Sequence, residues 1–205
     1  MNPFDNQSQT YDNESRRIEA ADAIAHAMIH SLEIRSDMSL MEYGAGTGLV
    51  TLHFQPLVKK IAAIDSSRGM LEVLERKIRQ QEMDNIGLLW LDGMKNAIPR
   101  WEYDIAICSM TFHHIKNTDS ILSQFNDSLK QPGQLALVDL DKEEGDFHSD
   151  NDGVEHFGFD REPLAKMAEN IGFHSIRFST PYVIKKKTAA GVDKDYPLFL
   201  MLAKK

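Results

Sequence analysis

The sequence has a single cysteine, Cys108, so no disulfide can form within the chain. It has no apolar run near the roughly 20 residues that a membrane-spanning helix needs, so no such span is expected. Its first residues, Met1-Asn2-Pro3-Phe4-Asp5-Asn6, lack the basic-then-apolar order of a secretory leader. Positive charge is also scarce: 23 Lys and Arg against 31 Asp and Glu leave a net charge of −8. Nucleic-acid backbones are bound through basic surfaces, so no nucleic-acid partner is expected. The one basic cluster, Lys185-Lys186-Lys187, precedes a turn region and reads as a solvated strand edge. These absences point to a cytoplasmic protein with neither a membrane nor a nucleic-acid partner. Cys108 lies inside an apolar run and reads as a small core residue rather than a nucleophile.

What is present is organised around residues 40–48, Leu-Met-Glu-Tyr-Gly-Ala-Gly-Thr-Gly. An apolar run ends in a glycine-rich turn, where the backbone bends sharply and a ligand can approach closely. Val50, Leu52, Phe54 and Leu57 then supply the apolar face of a helix. A strand, a glycine turn and a helix start make a nucleotide-binding corner. Two acidic residues narrow the ligand. Glu42 stands just before the glycines, where a phosphate-binding corner would gain nothing from a negative charge. Asp65 ends the next apolar run, 17 residues after Gly48, in the place of a carboxylate that takes two ribose hydroxyls. S-adenosylmethionine, a cation with a ribose and no phosphate, suits this pair.

Apolar periodicity places the other elements in one domain of 205 residues with 42% hydrophobic content. Helices are expected over 14–32, from Ser67 to about residue 78, over 117–130 and after Asp160, with Ser67 and Asp160 as caps. Strands are expected over 38–43, 61–65, 86–91, 103–109, 134–140, 176–186 and 198–204, the last two forming an antiparallel hairpin. His26 and His30 read as a surface pair. Residues 141–160 are acidic, hold three glycines and both His148 and His156, and show no period. Lying beyond a strand's carboxyl end, they are expected to form a substrate lid. The N-terminal 37 residues comprise a polar segment and a helix.

In combination, the 42–48 turn, Asp65, Leu91-Asp92-Gly93 and the 103–109 strand resemble a class I S-adenosylmethionine-dependent methyltransferase. The resemblance covers most of the chain from Met38 onward. It implies a Rossmann-like three-layer α/β/α sandwich whose seven-stranded, mostly parallel sheet has its last strand antiparallel. S-adenosyl-L-methionine would be the cofactor and S-adenosyl-L-homocysteine the product. Its binding residues would be Glu42, Gly44, Ala45, Gly46, Gly48, Asp65, Ser66, Met70, Asp92, Gly93 and Ser109. Ser66 departs from the apolar residue that often follows the acidic one, and Met70 could supply that contact. The resemblance also lets the N-terminal segment fold over the cofactor, with Tyr11 in reach.

Residues 109–115 lack the Asn/Asp-Pro-Pro-Tyr/Phe motif of base and glutamine methyltransferases and are similar to the histidine-bearing loop of small-molecule enzymes. The expected acceptor is therefore an oxygen or nitrogen of a small molecule. The sulfonium methyl is already activated, so alignment is the main task and no metal is expected. His156, His113 and Asp139 are the candidates to take a proton from the acceptor or to orient it. Either a monomer or a homodimer fits. A nicotinamide-dependent oxidoreductase shares the glycine turn and Asp65, but gives Asp92-Gly93 no role. A methyltransferase-like binding protein without catalysis is the remaining alternative.

Overall fold

The computed structural model describes residues 2–91, 97–99, 102–188 and 191–205. The polar N-terminal segment forms two 3-10 turns, Pro3–Asn6 and Ser8–Asn13, ahead of helix α1, Ser15–Ser31. Strand β1, Ser39–Tyr43, leads through the glycine turn to α2, Thr51–Phe54, which passes into a 3-10 turn at Gln55–Leu57. The helix expected there is short because Pro56 has no amide hydrogen with which to continue it. Strand β2, Lys60–Asp65, is followed by α3, Arg68–Gln80, and β3, Ile86–Trp90. Then come β4, Tyr103–Ser109, α4, Thr118–Ser128, and β5, Leu129–Leu140. The chain finishes with α5, Arg161–Ile171, and strands β6, His174–Ser179, β7, Val183–Lys187, and β8, Asp193–Lys204.

The strands form one sheet in the order β3-β2-β1-β4-β5-β8-β6, with β7 paired to the first part of β8. Strands β1 to β5 run parallel and β8 runs antiparallel to both its neighbours, β5 and β6. There are eight strands rather than the expected seven. The run expected as one strand breaks around Pro181 into β6 and β7, which pair with different halves of β8.

Alternation along the strands builds the two apolar layers. Met41, Tyr43, Ala106, Cys108 and Leu137 pack with Leu122 and Phe125 of α4 and Leu164 of α5. Leu40, Ile61, Ile107 and Val138 pack on the other face with Ile24 and Met28 of α1 and Phe54 of α2. Cys108 is fully buried, and burial pushes its thiol pKa up, in keeping with a core role. No helix among the described residues is long and apolar enough to cross a membrane.

The helix ends show how the parts are joined. Ser67 caps α3, its hydroxyl oxygen accepting from the Met70 N–H at 3.1 Å. Asp160 occupies the corresponding position of α5, but its side chain makes no cap bond. Lys186 leaves the expected solvated edge: it is half-buried, donates to the Phe147 carbonyl and lies 4.5 Å from the centre of that ring.

The N-terminal segment is docked rather than frayed. The Asp5 carboxylate accepts from the Ser67 hydroxyl at 2.6 Å and from the Gly69 N–H at 3.1 Å, placing negative charge at the start of α3. A Cβ at Gly69 would stand 2.8 Å from Ser8 Oγ and 3.0 Å from the Asp5 carbonyl oxygen. Glycine in a helix normally costs about 1 kcal/mol relative to alanine. Gly69→Ala is therefore expected to leave α3 at least as stable while displacing the segment above it. Amide exchange measured across residues 2–13 should rise several-fold, with exchange in α3 unchanged. Equal protection of both in the variant would show that the segment does not depend on this contact.

Candidate active site

At the carboxyl end of β1 the chain turns through Gly44, Gly46 and Gly48, all with positive φ. Their surroundings differ. A Cβ on Gly44 would fall 2.1 Å from the Thr111 hydroxyl oxygen, and one on Gly48 would fall 2.3 Å from Leu74 Cδ1. A Cβ on Gly46 would meet nothing within 4 Å. Gly44 and Gly48 are thus required by the protein's own packing, and Gly46 alone of the three faces open space. Ala45 turns its side chain into the core against Ala63 and Leu74.

The turn is tied to the neighbouring strand by Asp65. One carboxylate oxygen accepts from the Gly46 N–H and the other from the Ser67 N–H, both at 2.7 Å. A carboxylate accepts about four hydrogen bonds, so Asp65 keeps capacity for a ligand. Burial raises its pKa, against the backbone N–H groups that favour the charged form. Glu42 lies behind the turn, 1% exposed, and accepts from the Thr51 hydroxyl at the start of α2. Burial pushes its pKa to about 8, with the charge of Asp65 adding to the rise. A carboxyl group whose ionisation is opposed by burial and by a neighbouring carboxylate favours a positively charged ligand.

The N-terminal segment borders this corner. Asp12 accepts from the Thr47 hydroxyl at 2.6 Å and pairs with Lys77 at 2.7 Å, while Lys77 also donates to the Thr47 carbonyl. Asn2 donates to the Ser66 hydroxyl at 2.9 Å. Tyr11 is half-buried under the guanidinium of Arg17, and burial, with help from Asp65, raises its phenol pKa. Trp90, at the end of β3, donates to the Ser66 carbonyl and stacks 3.9 Å from Arg68. Met70 is 3% exposed, and Ser109 is half-buried at the end of β4. Asp92 and Gly93 lie outside the described residues.

A second cluster lies at the ends of β4 and β5. His113 and Asp139 are 1% and 0% exposed, and Nδ1 of His113 bonds a carboxylate oxygen at 2.7 Å. The other carboxylate oxygen takes the His113 backbone N–H at 3.1 Å. Burial would raise the Asp139 pKa, but the charge and hydrogen bonds of His113 hold it below the usual value. His148 comes from the 141–160 loop, and its Nε2 stands 3.2 Å from Nε2 of His113. His114 completes the group, with Nδ1 bonded to the Gly153 carbonyl at 2.8 Å. Burial, and then His113, lower the pKa of both His114 and His148 to about 4.

His156 stands apart from this group. Its Nε2 donates to the Ile115 carbonyl at 2.9 Å and its ring centre lies 5.1 Å from that of Phe159. Sequence reasoning placed it first among the acid–base candidates; the geometry makes it a pin for the loop. The loop is compact: Glu143 accepts from the N–H groups of Gly145, Asp146 and Phe147, and the Glu155 and His156 N–H groups bond the His113 carbonyl. His114 and His148 were not singled out together from the sequence, because no local spacing rule joins residues so far apart.

Comparison with known proteins gives a consistent family. Residues 13–177 match the family model of the methyltransferase domain. An uncharacterized methyltransferase of Schizosaccharomyces pombe is 33% identical over 121 residues, covering 56% of this chain and 43% of that protein. The chain spans about half the length of the curated relatives it matches. The crystal structure of YcgJ from Bacillus subtilis superposes with a TM-score of 0.73 at 16% identity, over 89% of this chain and 97% of that one. A phosphoethanolamine N-methyltransferase from Haemonchus contortus, solved with phosphomonomethylethanolamine and S-adenosylhomocysteine, gives 0.70 at 13% identity, over 88% and 52% of the two chains. At these identities the structural likenesses establish the fold.

The Glu42 environment predicts a pH signature. A folded pKa near 8 against an ordinary 4.5 means that the native state retains a proton that the unfolded chain has lost. Stability from this group is full below the ordinary value and is lost as pH rises toward 8, at up to about 1.4 kcal/mol per pH unit. Glu42→Gln keeps an acceptor for Thr51 and removes the titration. Denaturant unfolding should show the variant gaining on the wild type by more than about 1 kcal/mol between pH 5 and pH 8. A stability difference independent of pH would mean that Glu42 ionises normally.

Proposed function

The chain belongs to the methyltransferase-domain family, of the class I S-adenosylmethionine-dependent kind, and on that premise we propose that it moves a methyl group to an oxygen or nitrogen of a small molecule. S-adenosylmethionine is the proposed donor and S-adenosylhomocysteine the product. The observation that carries the reading is the corner itself. Gly46 borders open space, its N–H is held by Asp65, and the buried Glu42 and half-buried Asp65 carboxyl groups suit a cation. A pyrophosphate would gain nothing from either carboxyl group, which disfavours the nicotinamide alternative.

In this reading the remaining lone pairs of Asp65 take the ribose hydroxyls. Glu42 supplies negative charge beneath the turn when the ligand's ammonium arrives and lowers its pKa. The segment 2–13 covers the bound molecule, with Tyr11 on its inner side. The donor supplies an activated methyl group, so the chain's task is to align an acceptor and exclude water. His113, oriented by Asp139, handles the charge of the attacking atom, and the 141–160 loop closes the acceptor side. A small-molecule acceptor is supported by the net charge of −8, which disfavours a nucleic-acid substrate.

Calorimetric titration tests the donor site. Gly46→Ala should fold, since the methyl meets open space and the strain at φ +56 costs about 1–2 kcal/mol. It should weaken S-adenosylmethionine and S-adenosylhomocysteine at least tenfold. Gly48→Ala instead drives a methyl into Leu74 and should lose stability first. Wild-type affinity in a folded Gly46→Ala variant would remove the turn from the site.

The acceptor side is tested by turnover, read as S-adenosylhomocysteine released with a panel of hydroxyl- and amine-bearing small molecules. His113→Ala should lower the rate at least a hundredfold while cofactor affinity stays within about threefold, roughly 0.6 kcal/mol. Cofactor binding without turnover of any panel member would favour the non-catalytic alternative.

A further inference from the structure

We infer that His113, His114 and His148 hold a divalent cation of the zinc type, and that its remaining position takes an oxygen of the methyl acceptor. One ring nitrogen from each histidine lies within 4.8 Å of the others. Nε2 of His113 and Nε2 of His148 are 3.2 Å apart. Two imidazoles bound to one tetrahedral zinc at 2.0–2.1 Å would have their nitrogens about 3.3 Å apart. This pair is therefore already at ligand spacing.

The hydrogen bonds assign the protons. A carbonyl oxygen only accepts, so the bond from His114 to Gly153 puts the ring proton on Nδ1 and leaves a lone pair on Nε2. The same holds for His113, whose Nδ1 faces the Asp139 carboxylate at 2.7 Å. A histidine whose outer nitrogen donates to a carboxylate or a peptide carbonyl is the arrangement that orients metal ligands and strengthens them as donors. Here two adjacent histidines have it. The third, His148, donates its Nε2 proton to His113. Moving that proton to its own Nδ1 frees a third lone pair with no change of charge.

The surroundings fit a built site. Asp139 is fully buried and gives both carboxylate oxygens to His113. Phe147 packs edge-on against His148 at 4.8 Å between ring centres, and Phe4 against His114 at 5.0 Å, so apolar rings flank the cluster. Three histidines leave a four-coordinate ion one position for an exchangeable ligand. An oxygen bound there would be acidified. The cation was not expected from the chemistry of methyl transfer, and the ion itself does not depend on that reading; the acceptor's place on it does.

Asp22, His26 and His53 also lie within 4.8 Å of one another, but Asp22 and His26 are exposed and Nδ1 of His26 is engaged by the Asp22 carbonyl. This trio provides an internal control. The full-length protein, treated with a chelator and dialysed, is titrated with Zn2+ by calorimetry and with Co2+ by absorbance. The expected result is one equivalent bound with a tetrahedral Co2+ spectrum. His148→Ala and His114→Ala should each weaken binding at least a hundredfold, and His26→Ala should leave it unchanged. Circular dichroism identifies any variant that fails to fold, and the other histidine variant then decides.

Absence of stoichiometric binding up to millimolar Zn2+ and Co2+ would overturn the inference. So would binding that survives both cluster variants or is lost in His26→Ala. S-adenosylmethionine titrated into the metal-free protein separates the two readings. Cofactor binding by a protein that takes up neither Zn2+ nor Co2+ would overturn only the metal site, and metal binding without cofactor affinity would overturn only the proposed function.

Discussion

Two peptide N–H groups, from Gly46 and Ser67, reach the Asp65 carboxylate at 2.7 Å each, and the proposed donor site depends on that pair of bonds. They join the turn after β1 to the start of α3 through the end of β2. Neither segment could adopt its shape alone. The turn uses three left-handed glycines, and the helix start presents N–H groups that have no partner within the helix. A buried carboxylate is stable only where such donors surround it, so the burial that raises the Asp65 pKa and the bonds that lower it are one arrangement.

The N-terminal segment extends the same logic. Asp5 brings a second carboxylate to the α3 start, and Asp12 joins Thr47 and Lys77 across the turn. Gly69 leaves the space in which the segment lies. The segment is held mainly by polar bonds that solvent can replace, so its opening costs far less than unfolding the sheet. That is the property a cover over a binding corner needs.

At the same carboxyl end of the sheet, three strands across from β2, Asp139 plays the role that Asp65 plays in the turn. It is a fully buried charge with a histidine and two backbone N–H groups around it. The loop from 141 to 160 returns to this point because the Glu155 and His156 N–H groups bond the His113 carbonyl, which brings His148 to His113. The proposed donor corner and the histidine cluster are thereby set by two aspartates at the carboxyl ends of β2 and β5, one half-buried and one fully buried.

The periodic parts of this protein were legible in its sequence. Apolar alternation and the 3.6-residue stripe located the sheet, the helices, the Ser67 cap and the turn at Gly44–Gly48, because each depends on residues only a few positions apart. The strand break at Pro181 and the early end of α2 at Pro56 were under-read, although proline is a local signal in both. Tertiary structure alone decided which glycine faces open space, since Gly44 and Gly48 are blocked by Thr111 and Leu74 from distant elements. It alone made His156 a pin and gathered His113, His114 and His148, whose ring nitrogens meet only after β4, β5 and the loop between β5 and α5 have packed together. Periodicity records which face of an element is buried. The partner that a polar side chain meets there is set by long-range packing, which leaves no spacing in the chain to be read.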